Sequence, residues 1–198
     1  MNIMIRLAGV AGAMLAICSA AEANSYREKG KQVAVAGSTV KVTPPRDWNE
    51  LTARPGKHAE TWTLDGDQLN DVTFFIGIAS GEPLVRERNR KREPLPKFTR
   101  ATLLIEVPEL LEATYRAAKQ IGAFTLTRSK LDRFLDHEGV RFTYEFIDSD
   151  ELPRKGEAFA ALIDGKLYMA TFDAPRVHFF DRTVGDYRAL VETAHIGP

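Results

Sequence analysis

The sequence EAFAALIDGKLYMATFD, residues 157–173, carries the clearest structural signal in this chain of 198 residues. Two apolar runs flank Asp164-Gly165, and such runs joined by Asp-Gly are typical of a β-hairpin with a type I′ turn. Both residue types tolerate the positive φ angles of that turn. Both faces of the predicted strands are mostly apolar, which indicates a central hairpin covered on both sides of its sheet.

Patterns on either side of the hairpin predict the remaining elements. A continuous apolar run at 72–78 predicts a buried strand, and alternation over 140–146 predicts a strand with one solvated face. Helical spacing predicts one helix from Pro108 to a stop at Gly122, and a second through 184–194 capped by Asp181 or Thr183. Further strands are predicted over 33–42 with a break at Gly37-Ser38, over 60–64, and over 123–135 with a turn at 137–139.

The order of these elements predicts the fold class. Strands, one helix, four consecutive strands and one helix follow one another, and short links between consecutive strands favour antiparallel pairing. We therefore expect an α+β fold, with an antiparallel sheet of about six to seven strands packed between helices. Residues 24–31 are polar and are expected to form a loose lead-in. The large side chains expected in the core are Trp48, Trp62, Phe74, Phe75 and Tyr168.

Residues 1–23 have the pattern of a secretory signal peptide. Arg6 precedes an uncharged, mostly apolar run, and Ala21-Glu22-Ala23 has the small residues of a cleavage site. The run is shorter than the ~20 residues that a membrane-spanning helix needs. We expect cleavage after Ala23, a single globular domain over 24–198, and export to the periplasm.

Cys18 leaves a second kind of processing open. The sequence around it is similar to the site at which bacterial lipoproteins are acylated, although Ile17 stands where that site has a small residue. Lipidation of Cys18 is the alternative to ordinary cleavage, and it would tether the domain to a membrane.

The overall composition excludes several classes of partner. The chain has 27 basic and 27 acidic residues, so it has no net charge that would attract nucleic acid or an anionic membrane. With 44% hydrophobic residues, it can bury a core without the disulfides on which many small exported domains depend.

Residues 81–100 differ from the rest of the chain. They have no periodicity, contain three prolines, and carry seven cations against three glutamates, which predicts a surface loop. Clustered cations gain from counterion release when they contact phosphates, so this loop is the candidate binding surface, with a plain solvated excursion as its alternative. Its cations are Arg86, Arg88, Arg90, Lys91, Arg92, Lys97 and Arg100.

Motifs that carry chemistry are absent from the sequence. No two histidines have the spacing of a helical zinc site, and the Walker and dinucleotide fingerprints do not occur. Ser80 lacks the preceding glycine of a nucleophile elbow, because Ile78 stands there. No catalytic residue, metal ligand or cofactor is therefore predicted. The histidines are His58, His137, His178 and His195.

Several segments together resemble the PsbP-like superfamily. They are VTPPRDW at 42–48, GKLY at 165–168, FDAP at 172–175, and FF at 179–180 before an amphipathic helix. This superfamily includes the extrinsic PsbP subunit of photosystem II, an import factor that binds the GTPase Ran, and bacterial envelope proteins of the DcrB type. The resemblance implies an antiparallel sheet between helical layers, in a domain that binds or assembles and does not catalyse. It implies no functional residues, because the matching segments are structural.

These observations favour a non-catalytic exported envelope protein, an adaptor or assembly factor that offers a surface to a protein partner of unknown identity. One alternative is an envelope hydrolase whose site is assembled across loops. The other is a binder of polyanions or lipid headgroups through the basic loop at 86–100. Membrane contact is expected only through a lipidated Cys18 or through that loop.

Overall fold

The computed structural model describes residues 25–88 and 94–197. The predicted signal peptide and Cys18 lie outside these residues. The helices are α1 (Val107–Lys119) and α2 (Phe179–Glu192), and a short 3₁₀ helix (Leu104–Glu106) precedes α1. The strands are β1 (Ser25–Arg27), β2 (Val33–Ala34), β3 (Val40–Val42), β4 (Trp48–Glu50), β5 (Ala59–Thr63), β6 (Asp71–Ile78), β7 (Phe124–Phe134), β8 (His137–Ile147), β9 (Pro153–Ile163), β10 (Lys166–Pro175) and β11 (His195–Ile196).

The hairpin at 157–173 is central, as its sequence predicts. The main sheet is antiparallel, with the order β1-β4-β5-β6-β10-β9-β8-β7, so β9 and β10 lie inside it. Asp164 and Gly165 form the two-residue turn, and both have positive φ angles, 52° and 70°.

Each face of the main sheet is covered by one helix and its own apolar core. On one face α2 and the small sheet β11-β3-β2 enclose a cluster that includes Trp48, Trp62 and Phe172. On the other face α1 and the segment after β6 enclose a cluster that includes Phe75, Phe142 and Tyr144. The fold is therefore α+β, as predicted, with a helix on each side of an antiparallel sheet. Among residues 25–88 and 94–197, no helix is both long and apolar enough to cross a membrane.

The predicted count of six to seven strands is too low, because the main sheet has eight strands and the small sheet three. The strands that were missed are very short. β1 lies in the predicted loose lead-in and pairs with β4, which lies at the end of a predicted turn. Polar contacts order β1, since Arg27 forms ion pairs with Glu50 and Glu60, and hydrophobic patterning does not reveal such contacts.

The turn between β7 and β8 is two residues earlier than predicted. Leu135 and Asp136 form it with φ angles of 54° and 62°, although the sequence has a glycine only at 139. A leucine rarely has a positive φ angle. Here the Leu135 side chain is buried in the core under α2, and this burial offsets the strained backbone.

Three smaller predictions differ from the structure in part or in full. The helix α1 ends at Lys119 and not at Gly122, because Gln120 takes the left-handed conformation that terminates it. His178 occupies the N-cap position of α2 without a side-chain capping hydrogen bond, whereas Asp181 and Thr183 lie inside the helix. Tyr168 is only partly buried, whereas the other four large side chains predicted for the core are buried.

Candidate functional site

The strand β7 forms one edge of the main sheet and is almost entirely exposed along its 11 residues. Phe134 and His137 flank the two-residue turn, and such flanking residues exchange both of their backbone hydrogen bonds. Counting back along β7, the N–H and C=O groups of Ser129, Leu131 and Arg133 therefore point away from β8. No strand within the described ranges pairs with this side of β7.

The two faces of β7 differ in chemistry. In the register of β7 and β8, Arg128 lies opposite Thr143 and Lys130 lies opposite Arg141. Both cations therefore lie on the face of the sheet that α2 covers nearer the centre of the sheet. On the other face Leu126 and Leu131 are 44% and 78% exposed. The edge therefore presents cations on one side of the sheet and apolar side chains on the other.

Beside the cations of β7 lies a groove of about 490 Å³, bounded by β8, β9 and the side of α2. Its walls carry five cations against the carboxylates of Glu145 and Glu157, so positive charge is in excess. We call this the basic groove. Its cations are Arg128, Lys130, Arg141, Lys155 and Arg188.

Glu157 is the buried anchor of the basic groove. Its carboxylate is 1% exposed and accepts hydrogen bonds of 2.7–3.0 Å from the guanidinium groups of Arg141 and Arg188. Burial by itself raises the pKa of Glu157, but the hydrogen bonds from Arg188 and Arg141 outweigh it and hold the pKa below its usual value. The Glu157 carboxylate thereby holds Arg141 of β8 and Arg188 of α2 in place. Its single negative charge balances only one of the two guanidinium charges, so one positive charge remains.

The other cations of the basic groove are less constrained. Lys130 forms an ion pair of 2.8 Å with Asp132, in which both side chains are partly exposed, and such pairs are weak. The Lys155 ammonium lies 4.6 Å from the centroid of the Phe180 ring. Within the described residues, the side chain of Arg128 makes no hydrogen bond or ion pair. Arg128 is therefore available to an incoming anion.

A second polar cluster lies under α1, on the opposite face of the sheet. Asp173 of β10 is fully buried and accepts hydrogen bonds from the hydroxyls of Tyr115 and Tyr144 at 2.5 and 2.6 Å. The ammonium of Lys119 lies 3.1 Å from the same carboxylate and 4.0 Å from the centroid of the Tyr115 ring. Burial and the Asp173 charge raise the pKa of both tyrosines, so the phenols remain protonated donors.

Gly156 makes the contact between Tyr144 and Asp173 possible. It is paired with both residues across β9, and a Cβ atom on it would come within 2.2 Å of the Tyr144 ring and 2.7 Å of the Asp173 carboxylate. Only glycine leaves the tyrosine room to cross the middle strand and reach the aspartate.

Asp71 of β6 is the cross-strand partner of Asp173. Its Oδ1 atom is buried and accepts no hydrogen bond from any residue that the structure describes. Burial raises the pKa of Asp71 to about 6, and the Asp173 carboxylate adds to the rise while Lys119 opposes it. Asp71 lines two cavities, of about 140 and 200 Å³, which share Asp67 and Lys119 as further lining residues.

The described residues include only part of the predicted basic loop. Arg90, Lys91 and Arg92 lie outside the described residues. Arg86, Arg88 and Arg100 are exposed and Lys97 is partly buried, and none of these four described cations lines the basic groove. The described part of the loop also packs against the core and is not fully solvated, since the side chains of Leu84, Leu95 and Phe98 are buried.

The four histidines lie apart from one another. His58 precedes β5, with its Nε2 atom 3.8 Å from Glu82, and His137 begins β8. His178 precedes α2, and His195 lies in β11. Within residues 25–88 and 94–197, no three histidine, cysteine or acidic side chains are grouped as metal ligands.

Sequence reasoning missed both sites. Arg141, Thr143 and Glu145 do alternate along one predicted strand, which is a signal for a polar face, but the contribution of α2 depends on tertiary packing. An aspartate within the apolar run of β10 was the available signal for the buried cluster.

Comparison with known proteins supports the fold and goes no further. No protein-family profile matches the chain, and no curated protein sequence matches it. The solved structure of cyanobacterial PsbP from Synechocystis is similar with a TM-score of 0.56 and 11% identity, over 90% of this chain and 96% of that one. A protein from Bacteroides thetaiotaomicron has a TM-score of 0.50 at 9% identity, over 86% of this chain and 49% of that one.

The yeast Ran-binding protein Mog1p is similar with a TM-score of 0.47 and 9% identity, over 85% of this chain and 96% of that one. The likeness to cyanobacterial PsbP shows that the chain has a PsbP-like fold. At these identities the likeness concerns the fold alone.

Proposed function

We propose that this protein is an exported, non-catalytic adaptor that binds an extended acidic segment of a partner protein along β7. The observation that carries the proposal is the exposed edge strand with the basic groove beside it. Edge strands bind extended peptides by adding a strand to the sheet, with affinity from backbone hydrogen bonds and specificity from alternate side chains.

The charges on β7 favour an acidic partner over a second copy of this chain. Two β7 strands that paired antiparallel through Ser129 would place Arg128 of each copy opposite Lys130 of the other. Like charges directly across a sheet are destabilising, and cations on an edge strand are a common defence against self-association. Carboxylates at the same positions would be attracted to Arg128 and to the excess charge of the basic groove.

The two faces of β7 also define the pattern of the partner segment. An added strand points successive side chains to opposite faces of the sheet. Acidic residues would lie on the face of Arg128 and Lys130, and apolar residues between them would cover Leu126 and Leu131. The partner is therefore expected to alternate acidic and apolar or β-branched residues.

Binding should be tested with a fluorescent 11-residue peptide that matches β7 in length and alternates glutamate with valine and threonine. Ser129→Pro removes an outward N–H at an edge position where proline is tolerated, and we expect it to weaken binding about tenfold or more. Ser129→Ala keeps the N–H and is the matched control. We expect Arg128→Ser to weaken binding about tenfold at low salt and less at high salt.

Three further comparisons separate this mode from general attraction of anions. A peptide with the same glutamates in one block, and an alternating peptide N-methylated at every second residue, should both bind weakly. The exposed Lys31→Ser variant should bind like the wild type. Equal binding of the alternating and blocked peptides would contradict strand addition. Polyphosphate binding that Ser129→Pro does not affect would assign the basic groove to polyanions.

A further inference from the structure

We propose that the cavity under α1 is a binding site for a small organic cation, an ammonium group carried on a short apolar chain, with the Asp71 carboxylate as its counter-ion. The site is on the face of the sheet opposite the basic groove and is independent of peptide binding at β7. Three observations support it: the size and lining of the cavity, the Asp71 carboxylate without a donor to Oδ1 among the described residues, and the charges around that carboxylate.

The cavity of about 140 Å³ combines apolar walls with a polar base. Pro55, Phe75 and Val85 contribute to the walls, and Asp71 and Thr73 lie on strand β6 at the base. A cavity of about 150 Å³ in another protein accommodates benzene, so this one suits a guest of about six non-hydrogen atoms. The apolar walls favour a hydrocarbon body, and the base supplies acceptors for one polar end.

Asp71 has the acceptor capacity that an ammonium group requires. Among the described residues its carboxylate accepts no hydrogen bond, and the lack of a donor to the buried Oδ1 atom is uncommon for a carboxylate oxygen. A bound ammonium would pair with the Asp71 carboxylate from the cavity that this residue lines, and would neutralise its charge. An anion or an inert hydrocarbon would leave the carboxylate uncompensated.

The two described cations close to Asp71, Lys119 and Arg154, are each paired with other groups. Lys119 lines the same cavity, but it is paired with Asp173 at 3.1 Å and lies over the Tyr115 ring. Arg154 donates to the carbonyl of Gln68 and lies 3.7 Å from Asp148. Asp67 adds another carboxylate at the junction of the two cavities, so negative charge is in excess around Asp71.

The test is a titration of the full chain with n-pentylammonium, followed by backbone NMR shifts. Two probes of similar length are the controls: 1-pentanol, which has no charge, and pentanoate, which has the opposite charge. We expect shifts at β6 and α1, with pentylammonium binding at least about tenfold more tightly than either control. Asp71→Asn should weaken pentylammonium binding by about tenfold or more, whereas Glu109→Gln, which removes an exposed charge from α1, should leave it unchanged.

A second variant tests the cavity and not its charge. Ala118 lines the cavity from the exposed side of α1, so Ala118→Leu should obstruct it and abolish binding while the chain remains folded. Equal binding of pentanol and pentylammonium would overturn the proposal, as would stronger binding of pentanoate through Lys119. It would also be overturned if Asp71→Asn or Ala118→Leu bound pentylammonium like the wild type, or if millimolar pentylammonium caused no shifts.

Discussion

Three carboxylates of the sheet, Asp173, Glu157 and Asp71, behave differently because their hydrogen-bond partners differ. Asp173 is surrounded by two phenol donors and an ammonium, whereas Glu157 is held between two guanidinium groups on the other face. Asp71 has no hydrogen-bond donor on Oδ1 within the described residues. The burial of a charged carboxylate lowers the free energy of unfolding when no donor compensates it, as at Asp71. Asp173 and Glu157 regain this free energy through their hydrogen bonds.

The stability of the protein should therefore depend on the protonation of Asp71. Because its pKa is raised from 3.8 to about 6 in the folded state, the folded chain binds the proton more tightly than the unfolded chain. This contribution to stability is fully present below about pH 4 and is lost as the pH rises through about 6. We expect Asp71→Asn to raise the free energy of unfolding by roughly 1–3 kcal/mol at pH 7.5 and to have little effect near pH 4.

Urea denaturation of both proteins across this pH range checks the expectation, with Glu109→Gln as a control that should change stability little at any pH. A variant less stable than the wild type at pH 7.5 would show that Asp71 contributes more through Lys119 than it loses through burial.

Single residues also explain why part of the site could not be predicted. The pairing of Tyr144 with Asp173 depends on the missing side chain of Gly156, and the three residues lie on three different strands. Local periodicity assigns Tyr144 correctly to the buried face of its strand, but it cannot show which polar group its hydroxyl meets. The turn at Leu135-Asp136 was missed for a similar reason, since the energy that stabilises it comes from the distant core.

At the scale of elements, the predictions succeeded where the hydrophobic pattern was long. The hairpin of β9 and β10, the strand β6 and both helices have enough periodic residues to be recognised. The strands β1 and β4 have three residues each, which is too short for a period to be visible. The hydrophobic pattern also does not show how deeply each residue of a strand is buried. For this reason it did not distinguish the partly buried Tyr168 from the fully buried Phe172.

The strand β10 offers a direct measure of this difference. Phe172 is fully buried, with ring centroids 5.3 Å from Tyr187 and 5.5 Å from Phe180, whereas Tyr168 is partly exposed. We expect Phe172→Ala to lower the free energy of unfolding by about 3–5 kcal/mol, because it leaves a cavity between β10 and α2. Tyr168→Ala should cost about 1–2 kcal/mol, since less apolar surface is lost. Equal costs in urea denaturation would mean that the two positions are equally packed.

At the scale of the whole molecule, the two candidate sites lie on opposite faces of one sheet. The basic groove uses β7, β8, β9 and α2, and the cavity of Asp71 uses β5, β6 and α1. Each site depends on a helix packed over one face, so the sandwich that forms the core also separates the two charge environments. If both proposals hold, this separation would allow an acidic segment and an organic cation to bind without competing for the same side chains.

Export remains a prediction, and it rests on the sequence of residues 1–23. Cleavage after Ala23 would leave β1 intact, because that strand begins at Ser25. The mature chain would then contain no cysteine, and its folding would be independent of the redox state of the envelope. We expect the protein isolated from the envelope of a bacterial host to begin at Asn24 by N-terminal sequencing.

Two substitutions distinguish ordinary cleavage from lipidation. Ala23→Phe places a large residue at the cleavage site and should leave the uncleaved precursor, whereas Glu22→Gln keeps both small residues and should be processed normally. Cys18→Ser should have no effect on processing if cleavage follows Ala23. If instead the mature protein begins at an acylated Cys18 and Cys18→Ser releases it from the membrane, the protein is a lipoprotein, and β7 must then recognise its partner at a membrane surface.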